Sequence, residues 1–149
     1  MHVFERNVEV DRLASQLDSV PLREDRLETL VTLAWYMRQQ NNVQACTFAK
    51  EARALLAEQT TMPERTAQQL RARLDLVDAE TFWLLSDFDH ARDAAQSAFV
   101  AFTACDDPIG CADTHGILAW VHSSTGELLQ RDQCLAAAAQ SATQGGDTL

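Results

Sequence analysis

The stretch that decides the fold is "LAWYMRQQNN", residues 33–42, because it returns 85 residues later as "LAWVHSSTGE", residues 118–127. Both stretches open with leucine, alanine and tryptophan, and both run into polar residues typical of a turn. After the first stretch, alanines follow at positions 45, 49 and 52, which is the spacing of one helix face. A helix, a turn and a second helix therefore occur twice, and this predicts a chain of repeated helical hairpins.

A third copy of the pattern lies between these two. The segments "NNVQACTFAKEA" (41–52), "SDFDHARDAAQSA" (86–98) and "TGELLQRDQCLAAA" (125–138) align on their turns. Each has one apolar residue just past the break, and these residues, Val43, Phe88 and Leu128, are 45 and 40 residues apart. A period of this length is typical of helical solenoids.

The composition favours the same fold. Among 149 residues, of which 46% are hydrophobic, there are five glycines and three prolines. The residues that destabilise a helix are therefore few, and so are those that tight β-turns require. The length suits one compact domain. We therefore predict a single all-α domain with a leading helix at 3–18, ended by Pro21, and three hairpins at about 22–59, 63–105 and 108–144. Pro63 is expected at the first position of its helix, and Asp107 as the N-cap of the third hairpin.

The net charge of −10 and the pI near 4.6 argue against nucleic acid and anionic membranes as partners, since both are bound through clustered Lys and Arg. Charged residues in the first twenty positions leave no apolar core for a secretory signal, so the expected location is the cytoplasm. The four cysteines lie within apolar helical patterns and are expected to be reduced thiols.

The repeat resembles the tetratricopeptide repeat (TPR). Leu33-Ala34 and Leu118-Ala119 match its large-small pair, Thr125-Gly126-Glu127-Leu128 matches its turn, and the alanines at 45, 49, 52, 91, 95 and 98 match its second helix. Asp78-Ala79 departs from the large-small pattern, Arg131 replaces a small residue, and the first turn is one residue short. The resemblance implies a right-handed superhelix with a concave binding face.

The segments "LAWYMRQQNNVQACTFAKEARALL" and "DDPIGCADTHGILAWVHSSTGELLQRDQCLAAA" are similar to the N-terminal helical modules of bacterial signalling proteins that carry a GGDEF (diguanylate cyclase) domain. This resemblance implies that the chain is the front part of a longer protein. The closing "GGDTL" is too short a match to indicate a cyclase by itself.

The first helices of the hairpins are expected to form the concave face, with all three tryptophans on it. Tryptophan is enriched at binding hot spots, although the same side chains could instead fill gaps in an alanine-rich core. The predicted partner-binding residues are Trp35, Arg38, Gln39, Glu80, Trp83, Trp120, Ser123 and Ser124.

We predict no catalytic residue, metal site or cofactor. Cys111 and His115 are neighbours on one helix stripe, but His122 lies about 10 Å farther along, too far to complete a ligand set. Buried packing is the better interpretation of these three residues. The acidic clusters Asp87/Asp89/Asp93 and Asp106/Asp107 fall at helix starts, where carboxylates cap and complement the dipole.

The expected function is therefore a non-catalytic, sensory or protein-interaction module. It would bind a protein, a peptide or a second copy of itself and regulate an attached output domain, for which the resemblance implies a diguanylate cyclase. The alternative is a stand-alone TPR adaptor or chaperone-type module.

Overall fold

The computed structural model of the chain describes residues 3–17, 23–58 and 61–146, and within these ranges all regular structure is helical. The prediction of an all-α fold is confirmed. Pro21, the predicted end of the leading helix, lies outside the described residues. The helices are α1 (Val3–Leu17), α2 (Arg23–Met37), α3 (Asn42–Glu58), α4 (Glu64–Leu84), α5 (Phe88–Ala104), α6 (Pro108–Ser124) and α7 (Leu128–Gly146).

The helices follow one another in a linear order of contacts. In the described part of the chain, each helix contacts only helices one or two places away along the sequence. The pairs α2–α3, α4–α5 and α6–α7 pack closely, and the first helices of the pairs also contact each other, α2 with α4 and α4 with α6. The second helices lie farther apart: in the described residues, no Cα atoms of α3 and α5 are within 8 Å of each other, nor are any of α5 and α7.

Helix α4 joins the two parts of the hydrophobic core. Leu74 and Val77 on one face are fully buried with residues of α1, α2 and α3. Leu76 and Ala79 on another face are fully buried with residues of α5 and α6. Because α4 contributes one face to each part, the core of the described residues consists of two adjacent clusters joined by this helix.

The alanines of α3 and α5 let the helices of each pair approach closely. All six alanines that matched the repeat pattern are buried, with exposures of 0–2%. They are Ala45, Ala49, Ala52, Ala91, Ala95 and Ala98. Their 3.6-residue periodicity is the sequence signal that placed these helices correctly.

Three of the connections share one turn geometry. Ser86, Asp106 and Gly126 each have positive φ, at 60°, 51° and 78°. In each turn the following residue donates its N–H to a carbonyl five residues back, as Asp87 does to Phe82 and Glu127 to His122. This is the Schellman arrangement that ends helices, and glycine adopts its left-handed position without steric cost. The turn after α2 lacks a positive φ.

The helix starts confirm one predicted cap and correct another. Asp107 accepts a hydrogen bond from the Gly110 N–H at 2.9 Å, so it is the N-cap of α6 as predicted. Pro63 has ψ of 136° and is itself the N-cap of α4, one residue earlier than the first helical position expected. The proline fixes φ near the helical value but its ψ is extended, so the helix begins at Glu64.

The Asp78-Ala79 departure from the repeat pattern has a structural reason. Arg53 of α3 pairs with Asp78 at 2.6 Å and with Asp75 at 3.0 Å, and so links the first hairpin to α4. Partial burial removes water from Asp78 and raises the pKa of its carboxyl, although the Arg53 charge opposes the shift. Asp78 therefore forms an ion pair between helices at a position where the repeat pattern has a large apolar residue.

Candidate functional site

An open groove lies along the first helices of the three hairpins. Its volume is about 350 Å³, and α2, α4 and α6 supply most of its walls. We refer to it as the inner groove. It is lined by Val31, Thr32, Trp35, Tyr36, Gln69, Leu70, Arg73, Phe102, Asp107, Ile109 and Asp113.

Trp35 is the centre of the groove wall. Its ring is partly buried and packs against both parts of the core. Two guanidinium groups lie by this ring, that of Arg38 at 3.6 Å and that of Arg73 at 4.4 Å from its centroid. Arg38 also donates a hydrogen bond to the Trp35 carbonyl at 2.7 Å. These contacts hold the ring in one position, so the wall is formed before any partner arrives.

Each of these arginines pairs with a carboxylate on the first helix of the following hairpin. Arg38 pairs with Glu80 of α4 at 2.5 Å, and Arg73 of α4 pairs with Asp113 of α6 at 2.6 Å. The ion pairs thus tie α2 to α4 and α4 to α6 across the groove. Each pair neutralises the guanidinium charge that stacks on Trp35.

Glu80 lies deeper than its sequence suggests. Its side chain has 0% exposure, and it faces Arg38, which is itself only 12% exposed. The carboxylate is therefore inaccessible to a partner, and its charged contact is with Arg38.

Three of the other predicted residues form a second group at the ends of α4 and α6. The rings of Trp83 and Trp120 are 5.5 Å apart between centroids and tilted by 35°. The Trp83 indole N–H donates to the Ser124 hydroxyl at 2.9 Å, and that hydroxyl donates to the Trp120 carbonyl. Trp120 is 37% exposed. Ser123 is exposed beside this pair, and Gln39 is exposed just after α2.

Of the eight predicted residues, Trp35 lines the inner groove and the other seven do not. The Arg38 guanidinium lies on the Trp35 ring, and Glu80 pairs with Arg38. Trp83, Trp120 and Ser124 form a second group at the helix ends, and Gln39 and Ser123 are exposed and belong to neither group.

Sequence reasoning missed Arg73, Asp113 and Thr32. A signal for them was present, because Arg73 lies seven residues before Glu80, Asp113 seven before Trp120, and Thr32 seven before Gln39. Seven residues are close to two helical turns, so these positions lie on the same stripes as the predicted ones. Extending each stripe two turns toward the N-terminus would have found them.

A smaller cavity of about 230 Å³ lies between α5, α6 and α7, and Cys111 and His115 line it. The Cys111 sulfur contacts the Thr103 hydroxyl at 3.8 Å, and the His115 ring packs at a tilt against Phe99, with 5.0 Å between the ring centroids. His122 instead faces Glu127 at 3.5 Å. In the described part of the chain, no three His, Cys, Asp or Glu residues are grouped as metal ligands would be.

Burial of His115 makes a pH dependence predictable. The pKa of its imidazole is lowered because burial disfavours the charged form, and Nδ1 is shielded without a hydrogen-bond partner among the described residues. The unfolded chain binds this proton near the ordinary pKa of 6.5, while the folded chain does so at lower pH. The contribution of neutral His115 to the free energy of unfolding is therefore complete above the pKa of the unfolded chain. It is lost as the pH falls toward the lower pKa of the folded chain.

When the pH is lowered from about 7.5 to about 5.5, we expect the free energy of unfolding to fall less for His115→Gln than for the unsubstituted protein. This range spans the ordinary pKa of histidine. The measurement is the urea midpoint of both proteins at the two pH values, followed by circular dichroism. An equal drop in both midpoints would show that other groups cause the pH dependence.

Comparison of the chain with protein-family models, with curated proteins and with solved structures gives no match. Among the described residues, no helix combines the length and the apolar character that crossing a bilayer requires. The geometry of the inner groove is therefore the basis for assigning a function.

Proposed function

We propose that the chain is a non-catalytic helical-repeat module that binds a segment of a protein in the inner groove. The observation that carries this proposal is the groove itself: three successive first helices form its walls, and Trp35 is held in place beside Arg38 and Arg73. Its volume is near the lower end of the range of ligand sites, about 300–1,000 Å³. A few residues of an extended peptide would fill it.

A concave, TPR-like stack is supported by the pattern of helix contacts. Helices α2, α4 and α6 have Cα atoms within 8 Å of the next one in this series, whereas α3, α5 and α7 have none within 8 Å of one another in the described residues. Elements on the inside of a curve lie closer together than those on the outside, so this pattern favours a stack curved around the first helices. Solenoids commonly bind partners on such a concave face.

The regulatory part of the proposal rests on the resemblance to the helical modules of GGDEF proteins. An occupant that binds one curvature of the stack more tightly than another shifts the population toward it. A diguanylate cyclase joined to the module would then respond to the occupant. A second copy of the chain is another occupant that would couple binding to dimerisation.

The test uses a glycine on the groove stripe of α6. Ile109, Asp113, Gly116 and Trp120 are spaced by four, three and four residues and so share one stripe. A Cβ atom built at Gly116 meets no atom within 4 Å, so a side chain there would project into free space. Gly146 at the end of α7 is equally open and lies outside the groove, so it offers a matched control.

The experiment selects binders from a random-peptide display library on the purified protein. Their dissociation constants are then measured for Gly116→Phe and Gly146→Phe. We expect Gly116→Phe to weaken binding about tenfold or more, because losing a contact of about 1.4 kcal/mol has this effect. Gly146→Phe should bind as the unsubstituted protein does. Equal affinities for both variants, or no enriched peptide, would contradict the proposal, and circular dichroism verifies that both variants are folded.

A further inference from the structure

The charges around the inner groove decide which peptide it fits. Arg73 and Arg38 are already paired with Asp113 and Glu80, at 2.6 and 2.5 Å. A carboxylate or phosphate of a partner would have to displace one of these buried or half-buried pairs. Removing one member of such a pair leaves a charge without compensation, which is costly. The groove is therefore poorly suited to an acidic segment.

A positively charged group of a ligand also has few places to bind in the inner groove. The ring of Trp35 already carries two guanidinium groups, so a third cation would have to displace one of them to stack there. The remaining anionic group in the wall is Asp107. Its Oδ1 caps α6 by accepting from the Gly110 N–H, and its Oδ2 accepts from the Gln69 amide at 3.3 Å. Both donors are neutral.

The bond from Gln69 to Asp107 is long for a hydrogen bond, and a charged donor would form a shorter and stronger one with Oδ2. Asp106 precedes this residue and is exposed, which adds negative charge at the same end of the groove. Arg65 lies near this turn and donates to the carbonyl of Cys105, so its positive charge remains close by without pairing with Asp107. The end of the groove at the start of α6 thus offers a carboxylate oxygen to a cation.

Beside this carboxylate the wall is apolar. Ile109 of α6 is 47% exposed, and the partly buried side chains of Leu70, Tyr36 and Trp35 continue the surface toward α2. An aliphatic or aromatic side chain that covers Ile109 would remove apolar area from water. The net charge of −10 would in addition speed the encounter with a basic segment.

From these observations we propose that the inner groove recognises a peptide segment in which an arginine or lysine stands next to aliphatic or aromatic residues. The basic group binds Oδ2 of Asp107, and the apolar neighbours cover Ile109 and the ring wall. This inference rests on the proposed function and adds the chemistry of the occupant to it.

Three blocked peptides test the preference: acetyl-Leu-Arg-Leu-amide and its counterparts with glutamine or glutamate in the middle. Their dissociation constants follow from chemical-shift titrations of the isotope-labelled protein. At low salt we expect the arginine peptide to bind about fivefold more tightly than the glutamine peptide, as for a charge-assisted hydrogen bond, with the glutamate peptide weakest. The difference should shrink at about 1 M salt, where the Debye length is near 3 Å.

Two matched variants test whether Asp107 causes the preference for the arginine peptide. Asparagine caps helices as well as aspartate does, so Asp107→Asn removes the charge and keeps the cap. Asp87→Asn makes the same change at the corresponding cap of α5, outside the groove. We expect Asp107→Asn to weaken the arginine peptide about fivefold, to the level of the glutamine peptide. Asp87→Asn should leave its affinity within about twofold, because only distant charge changes.

The outcomes separate this inference from the proposed function. If arginine and glutamate peptides bind the groove equally, or if both variants weaken binding alike, the basic preference is wrong while groove binding stands. If none of the three peptides binds and the display library also yields no binder, the proposed function itself is contradicted.

Discussion

Replacing Arg38 with methionine is expected to lower the free energy of unfolding by about 3–5 kcal/mol, the cost of leaving a buried charge without its partner. Glu80 has 0% exposure and faces Arg38 at 2.5 Å. Methionine keeps much of the side-chain volume but leaves the carboxylate in an apolar surrounding. The measurement is urea unfolding followed by circular dichroism, with the unsubstituted protein as reference.

The double variant Arg38→Met with Glu80→Met shows whether burial of the charge is the cause. Replacing both members of a buried pair with apolar residues is often neutral or stabilising. We therefore expect the double variant to recover most of the stability lost by Arg38→Met alone. If the two substitutions are additive, so that the double variant is the least stable of the set, the pair is not coupled and this explanation fails.

The second large effect is expected at Gly110 of α6, which lies against the Phe102 ring of α5. A Cβ atom there would lie 2.3 Å from a ring carbon of Phe102, which is 1% exposed. The ring also packs against the Arg73 guanidinium, at 5.1 Å from its centroid. Overpacking of this kind costs about 1–3 kcal/mol. We expect Gly110→Ala to be destabilised by about 2 kcal/mol, since better helix propensity offsets part of the strain.

Gly116→Ala is the control in the same helix. Its Cβ would meet no atom within 4 Å, so the substitution adds helix propensity without a clash. An increase of about 0.5–1 kcal/mol in the free energy of unfolding is expected. A decrease in the free energy of unfolding for Gly110→Ala together with an increase for Gly116→Ala would support the close approach of α5 and α6 at Gly110. A stabilised Gly110→Ala would show that the Phe102 ring moves aside at no cost.

The fold was largely predictable because its signals are local. Helix periodicity, the small residues of α3 and α5 and the cap at Asp107 all act within a few residues of the chain. Pro63 was placed one position too late, since its fixed φ suits both the cap and the first helical residue. The curvature and handedness implied by the resemblance depend on small angles between helix pairs, which sequence patterns do not determine.

The site was predictable in part, and the reason is again physical. Trp35 was predicted on the concave face from its place in the repeat, and its residue type suggested a binding role. The pair of Arg73 with Asp113 joins positions 40 residues apart, and it forms only when α4 and α6 are stacked in register. Glu80 was predicted on the concave face from its place in the repeat, yet its exposure is 0% and it pairs with Arg38.

The most direct measurement of the central claim is a map of backbone chemical-shift changes when a selected peptide binds the isotope-labelled protein. Binding in the inner groove predicts the largest changes on α2, α4 and α6, at Thr32, Trp35, Gln69, Arg73 and Asp113. Changes concentrated instead on the exposed side of α7, around Leu129 and Leu135, would contradict the account.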